Sequence, residues 1–127
     1  MKNNVYKPTI LIDTKKSLIR IHKHTLYMLG SPAYVELLVN PETLYVAVRT
    51  SKIKTNSSHK INWSMLCGKN SYEIISKILI ARLINICGAL QSIGSYKIIG
   101  NYSSDENIAS FDLKKAFEIS GDDYEKN

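Results

Sequence analysis

YEIISKILIARLINICGAL, residues 72–90, is the stretch whose reading decides the fold. It is apolar on nearly every side, with only Glu73, Ser76, Lys77, Arg82 and Asn85 breaking the run. A helix over it has little surface that prefers water. Asn70 followed three residues later by Glu73 is a capping-box-like pair at its start, and Gly88 and Gly94 are available stops. The run therefore predicts one long helix buried in the core, wrapped by a sheet or by a second subunit, with Ile78, Leu83 and Ile86 facing inward. It makes a poor membrane span, because Lys77, Arg82 and Asn85 interrupt a run shorter than the roughly 20 uncharged residues a bilayer requires.

Outward from that helix, the clearest signal is a hairpin. Ala33–Asn40 sets Val35, Leu37 and Val39 on one face, Thr43–Thr50 sets Leu44, Val46 and Val48 on one face, and Asn40-Pro41-Glu42 connects them. Leu18–His22 alternates as a half-buried strand, and Lys23–Leu29 reads as a short helix closed by Gly30, with Pro32 preventing continuation. Pro8–Asp13 reads as a short edge strand and His59–Trp63 as another strand. Beyond the helix, Ser95–Tyr102 and Asn107–Leu113 form a second hairpin around Ser103–Glu106. These elements predict an α+β domain: a six- or seven-stranded mixed or antiparallel sheet around the one long buried helix, plus one short helix. Leu18–Thr50 and His59–Leu113 share the order strand, helix ending in Gly, strand, turn, strand. They also admit two βαββ units forming a barrel or a saddle-shaped sheet.

At 127 residues the chain reads as a single domain, 1–127. Within it, residues 1–7 are expected to be a flexible arm, 51–60 an exposed basic loop and 120–127 a disordered tail. Net charge is +6, and it is unevenly placed. Residues 1–60 hold eight Lys and two Arg against three acids, whereas residues 61–127 hold six Lys and one Arg against eight acids. Such asymmetry points to nucleic acid or to a nucleic-acid-bound protein complex as partner. A solvated face in a lysine-rich composition is the competing explanation. The candidate contacts are Lys15, Lys16, Arg20, Lys23, Arg49, Lys52, Lys54 and Lys60, with Tyr45 beside Arg49 on the outward face of the hairpin. Tyr27, Tyr34, Tyr72, Tyr96, Tyr102 and Trp63 supply further amphipathic rings for stacking or anchoring, against the alternative of packing at sheet edges.

Residues 19–49, IRIHKHTLYMLGSPAYVELLVNPETLYVAVR, resemble the swapped-hairpin domain of AbrB-type transition-state regulators. In that family a strand enters an Ile-Pro-Lys step, a one-turn helix ends in Leu-Gly, and a strand hairpin follows. Here Ile21-His22-Lys23, Leu29-Gly30 and Tyr34–Val48 stand at those places. The resemblance implies a DNA-binding dimer. It departs from the family where His22 replaces the proline and where Leu18 and Leu26 replace two basic residues. Phosphate contacts would then fall to Arg20, Lys23, Lys15 and Lys16, while base reading does not carry over. The same stretch is similar to small proteins of phages and integrative elements from low-GC Gram-positive bacteria.

Chemistry beyond binding finds little support in the residue pattern. His22 and His24 with Asp13 or Glu36 fall short of a positioned ligand set, so no metal is expected. Cys87 lies in the apolar run, neither Cys67 nor Cys87 has an evident activating base, and the glycines are scattered singly rather than grouped as a phosphate cradle. No catalysis and no cofactor are expected. The sequence thus points to a small, cytoplasmic, non-enzymatic protein of phage or mobile-element type that binds nucleic acid through its basic half, as a homodimer and without a membrane. The alternatives are an anti-defence inhibitor of anti-CRISPR type acting on a bacterial nuclease complex, and, more remotely, a binder of a nucleotide signal.

Overall fold

In the computed structural model, which describes residues 6–119, the chain is built mainly of β-strands. The first sheet is antiparallel and contains β1 (Thr9–Asp13), β2 (Leu18–His22), β6 (Ser71–Ile75), β7 (Ser95–Ile99) and β10 (Phe117–Ile119), in the order β10-β7-β1-β2-β6. The second, also antiparallel, contains β3 (Tyr34–Asn40), β4 (Tyr45–Ser51), β5 (Ser58–Lys60), β8 (Asn101–Ser103) and β9 (Ile108–Asp112), in the order β5-β3-β4-β9-β8. Three short helices, α1 (Lys23–Met28), α2 (Trp63–Leu66) and α3 (Lys77–Ile86), join them. Ile10, Ile12, Ile19 and Ile21 from the first sheet and Val35, Val46, Val48 and Phe111 from the second belong to one buried cluster. The inward residues of both sheets thus make a shared core.

This architecture overturns the expected sheet around one long helix. Residues 71–75 are an edge strand, pairing Leu18 with Ile75 and Ile21 with Tyr72 along β2, and the helix begins only at Lys77. The cap is Ser76, whose hydroxyl accepts from the Leu79 backbone N–H at 3.1 Å, and not Asn70. The all-round apolarity of 72–90 arises because a strand with one inward face is followed directly by a helix with one inward face. Leu83 is fully buried, but Ile78 is 85% exposed and Ile86 only half-buried, so Ile78 is not a core residue.

Two further assignments change. Residues 9–13 lie at the centre of the first sheet and not at its edge, because Pro8 falls just before the strand and costs no ladder hydrogen bond. The strand read over His59–Trp63 stops at Lys60, since Asn62 caps α2 by accepting from Met65 N–H. The hairpin β3–β4 forms with Val35, Val46 and Val48 buried as the alternation predicts, but β4 begins at Tyr45 and not at Thr43, and the pairing runs from Tyr34 opposite Ser51 to Asn40 opposite Tyr45. After α1 the chain turns through Gly30 at φ +93°, with Gly30 N–H bonding the Tyr27 carbonyl and Ser31 N–H the Leu26 carbonyl, a complete Schellman stop.

The two strand-helix-hairpin units meet within one chain, as β2 pairs β6 and β4 pairs β9. Burying these strands therefore does not call for a second copy. At Gly100 the chain crosses from β7 to β8; a side chain there would collide with the Ser110 carbonyl oxygen and the Phe111 ring. The predicted arm falls mostly, and the predicted tail wholly, outside the described residues. Among the described residues no helix is long and apolar enough to cross a membrane.

Candidate nucleic-acid interface

At the end of the sheets where α1 begins, five aromatic rings make one continuous contact chain. His22 and His24 stack with centroids 5.1 Å apart and planes within 14° of parallel. Tyr6 closes on both, at 6.0 and 5.3 Å, and His24 meets Tyr27 edge-on at 5.7 Å. Tyr27 in turn stacks on Trp63 at 5.8 Å and 11°. These spacings are those of favourable aromatic pairs. The rings already touch, so a planar ligand would lie on their outward faces and not between them. Tyr27 is 49% exposed and His24 is exposed, so packing alone does not account for the row.

Local structure holds each ring. His24 and Tyr27 are three residues apart on α1 and so share a helix face. His22 is the N-cap of that helix, its Nδ1 accepting from His24 N–H at 3.2 Å. Thr25, fully buried, fastens α1 to β1 by accepting from Thr9 N–H at 3.0 Å, which brings the segment carrying Tyr6 alongside. Trp63 is anchored by its Nε1–H donating to the Pro32 carbonyl at 2.9 Å. Burial pushes the His22 imidazole below its ordinary range, and the positive charge of His24, Lys23 and Lys97 adds to the effect. At neutral pH it is an uncharged ring, suited to stacking and to its capping role.

A cleft of about 490 Å³ opens beside this row, lined by Arg20, Asn62, Met65, Lys69, Ser71 and Glu73 among others. It joins the ring row at two points. Lys23 N–H donates to the Asn70 carbonyl at 2.9 Å, and Arg20 lies two residues before His22 on β2. Within the cleft, Arg20 Nη2 is 2.7 Å from Glu73 Oε2. The Tyr72 hydroxyl donates to the Lys60 carbonyl at 2.9 Å, and burial raises that phenol above its ordinary range.

Of the residues singled out from the sequence, the fold brings Arg20, Lys23 and Lys60 to this end. Lys15 and Lys16 sit in the β1–β2 turn at the opposite end, where their backbone N–H groups are held by Asp13 Oδ1 at 2.9 and 2.8 Å. Tyr45 lies at the far end of β4 under Lys114, whose Nζ is 5.4 Å from its ring centroid. Arg49 pairs with Glu36 at 2.8 Å, and the loop carrying Lys52 and Lys54 is drawn onto the same carboxylate through the Thr55 and Ser57 hydroxyls at 2.8 and 3.1 Å. Those hydrogen bonds, from Thr55, Arg49 and Ser57, hold the Glu36 carboxyl below the usual range. Tyr96 and Tyr102 spend their hydroxyls internally, on Ser92 O and Asn107 Oδ1.

The sequence names Tyr27 and Trp63 as rings for stacking but does not join them to Tyr6, His22 and His24 in one row. As metal ligands His22 and His24 fall short in the sequence, and among the described residues no group of three or more His, Cys, Asp or Glu is gathered. The spacing His24-x-x-Tyr27 was a readable sign, whereas the arrival of Trp63 and Tyr6 was not. Comparison with protein families, with curated proteins and with solved structures found no match.

Proposed function

We propose that the protein binds single-stranded nucleic acid at the α1 end, with bases on the outward faces of the ring row and phosphates against the neighbouring lysines. The observation that carries this reading is the row from Tyr6 to Trp63, with Lys23 within it and Lys60 leading into it. Among the described residues neither lysine is ion-paired, so their charge is available to a polyanion. Base–aromatic stacking contributes about 1–3 kcal/mol per base and tolerates any sequence, because every base has a π-face. A duplex hides those faces. The reading places the protein in the cytoplasm as a binding protein, with Cys67 and Cys87 as free thiols.

The single tryptophan is a built-in probe. Titration with oligothymidylate at low salt should quench Trp63 fluorescence, with tighter binding than to duplex of the same length. Log affinity should fall by about 0.7 for each phosphate contact per log unit of salt. Absence of binding to either form at low salt overturns the proposal and leaves recognition of a protein target, as in a counter-defence inhibitor, as the better explanation of the basic surface.

A further inference from the structure

We infer that the cleft beside the ring row reads a guanine base of the bound strand through Glu73. This rests on the ring row being a nucleic-acid interface, and adds to it one sequence-selective position. The cleft volume of about 490 Å³ falls within the range of small-ligand sites, roughly 300–1,000 Å³. Its walls include Met65 and Leu66, and Met65 is 62% exposed at the rim, a flexible apolar side chain free to close on a planar ring.

The polar groups select among the bases. The Glu73 side chain is 41% exposed, and Arg20 holds it through Oε2 at 2.7 Å. An ionised carboxylate only accepts, and its two oxygens offer about four lone-pair sites, so an edge remains for ligand after Arg20 has taken one. Two parallel bonds to such an edge need two adjacent donors on the base. Guanine has them, in N1–H and the N2 amino group. Adenine and cytosine place an acceptor nitrogen beside their single amino group, and thymine flanks its one N–H with two carbonyls. The Asn62 oxygen accepts from Met65 N–H and the Ser64 hydroxyl, which leaves its amide nitrogen as a donor for a carbonyl such as guanine O6. Lys69, also on the cleft, supplies a cation for the attached phosphate. The Lys23 backbone N–H bonds the Asn70 carbonyl of this same loop, so the cleft adjoins the segment that carries His22 and His24.

The test compares oligothymidylate with the same oligomer carrying one guanine, one adenine or one inosine, which lacks the N2 amino group. One guanine should tighten binding about tenfold or more, the discrimination of an ordinary bidentate base contact. Adenine should give no gain, and inosine should lose most of it. Glu73→Gln, of nearly the same shape, should bring the guanine-to-thymine affinity ratio close to one. The inosine comparison uses the unaltered protein and so stands whether or not that variant folds. Equal affinity for guanine and thymine oligomers, or a guanine gain that survives in inosine or in Glu73→Gln, overturns the inference and leaves the ring-row reading intact. Failure of every oligomer to bind overturns both.

Discussion

At the α1 end, Lys23 and Lys60 stand beside five touching rings and make no ion pair among the described residues. On the outer face of the second sheet, Arg49 is committed to Glu36, and the loop bearing Lys52 and Lys54 is tied to the same carboxylate. Both regions contribute to the basic first half of the chain, yet one sets its lysines beside planar apolar surface, whereas in the other Lys52 and Lys54, equally outside any ion pair among the described residues, stand exposed on a polar loop that Thr55 and Ser57 tie to Glu36. Charge density alone does not mark a binding face; what separates the two regions is the planar apolar surface that lies next to the cations in one and not in the other.

The largest effect expected to separate the two regions is on single-strand affinity. Tyr27→Ala combined with His24→Ala removes two stacking surfaces and should weaken oligothymidylate binding by about 10²-fold, at roughly 1–3 kcal/mol per base. Lys52→Gln with Lys54→Gln should change it only a few-fold in the same fluorescence titration. Comparable losses from the two pairs would erase the distinction. A smaller effect concerns salt: Lys23→Gln with Lys60→Gln should flatten the slope of log affinity against log salt by about 1.4, or about 0.7 per contact, and the loop pair should leave it unchanged. A loop pair that flattens the slope as much would show that phosphates run across the second sheet instead.

The loop can be examined by itself. Glu36→Gln should release it, seen as faster amide exchange at Thr55 and Ser58, whose backbone and side chains bond each other beside that carboxylate, with oligonucleotide affinity unaltered. Affinity falling together with protection would mean the loop is part of the interface. The smallest effects are in stability against pH, where the regions should respond in different windows. The folded pKa of His22 is lowered, so its contribution is fully present above the unfolded value of about 6.5 and is lost as pH falls through the folded one. Glu36 is lowered as well, so its contribution is present above about 4.3 and is lost at more acid pH. Thermal melting across a pH series should show a decline beginning below about 6.5 that His22→Gln reduces, the remainder belonging to His59, whose imidazole burial also lowers, and a later one that Glu36→Gln reduces, the remainder belonging to Asp112. A curve flat from neutral pH to about 4.5 would refute the His22 part.

By itself the sequence determined those features whose causes lie within a few residues of one another. Period-two alternation placed β3 and β4 and the faces they turn inward, and the Leu29-Gly30 stop with Pro32 behind it closed α1. It also named Arg20, Lys23 and Lys60, because charge is visible wherever it stands. The tertiary structure alone decided what residues 71–75 become. A run apolar on all sides is the same string whether it forms one buried helix or a strand and a helix each buried on one face, and the available edge of β2 resolves it by offering Ser71–Ile75 a ladder of hydrogen bonds. The ring row depended equally on non-local packing. Thr25 clamping α1 to Thr9 and Pro32 accepting from Trp63 bring residues 6, 22–27 and 63 together, and such contacts exist only once chain segments 16 and 31 residues apart have closed on one another.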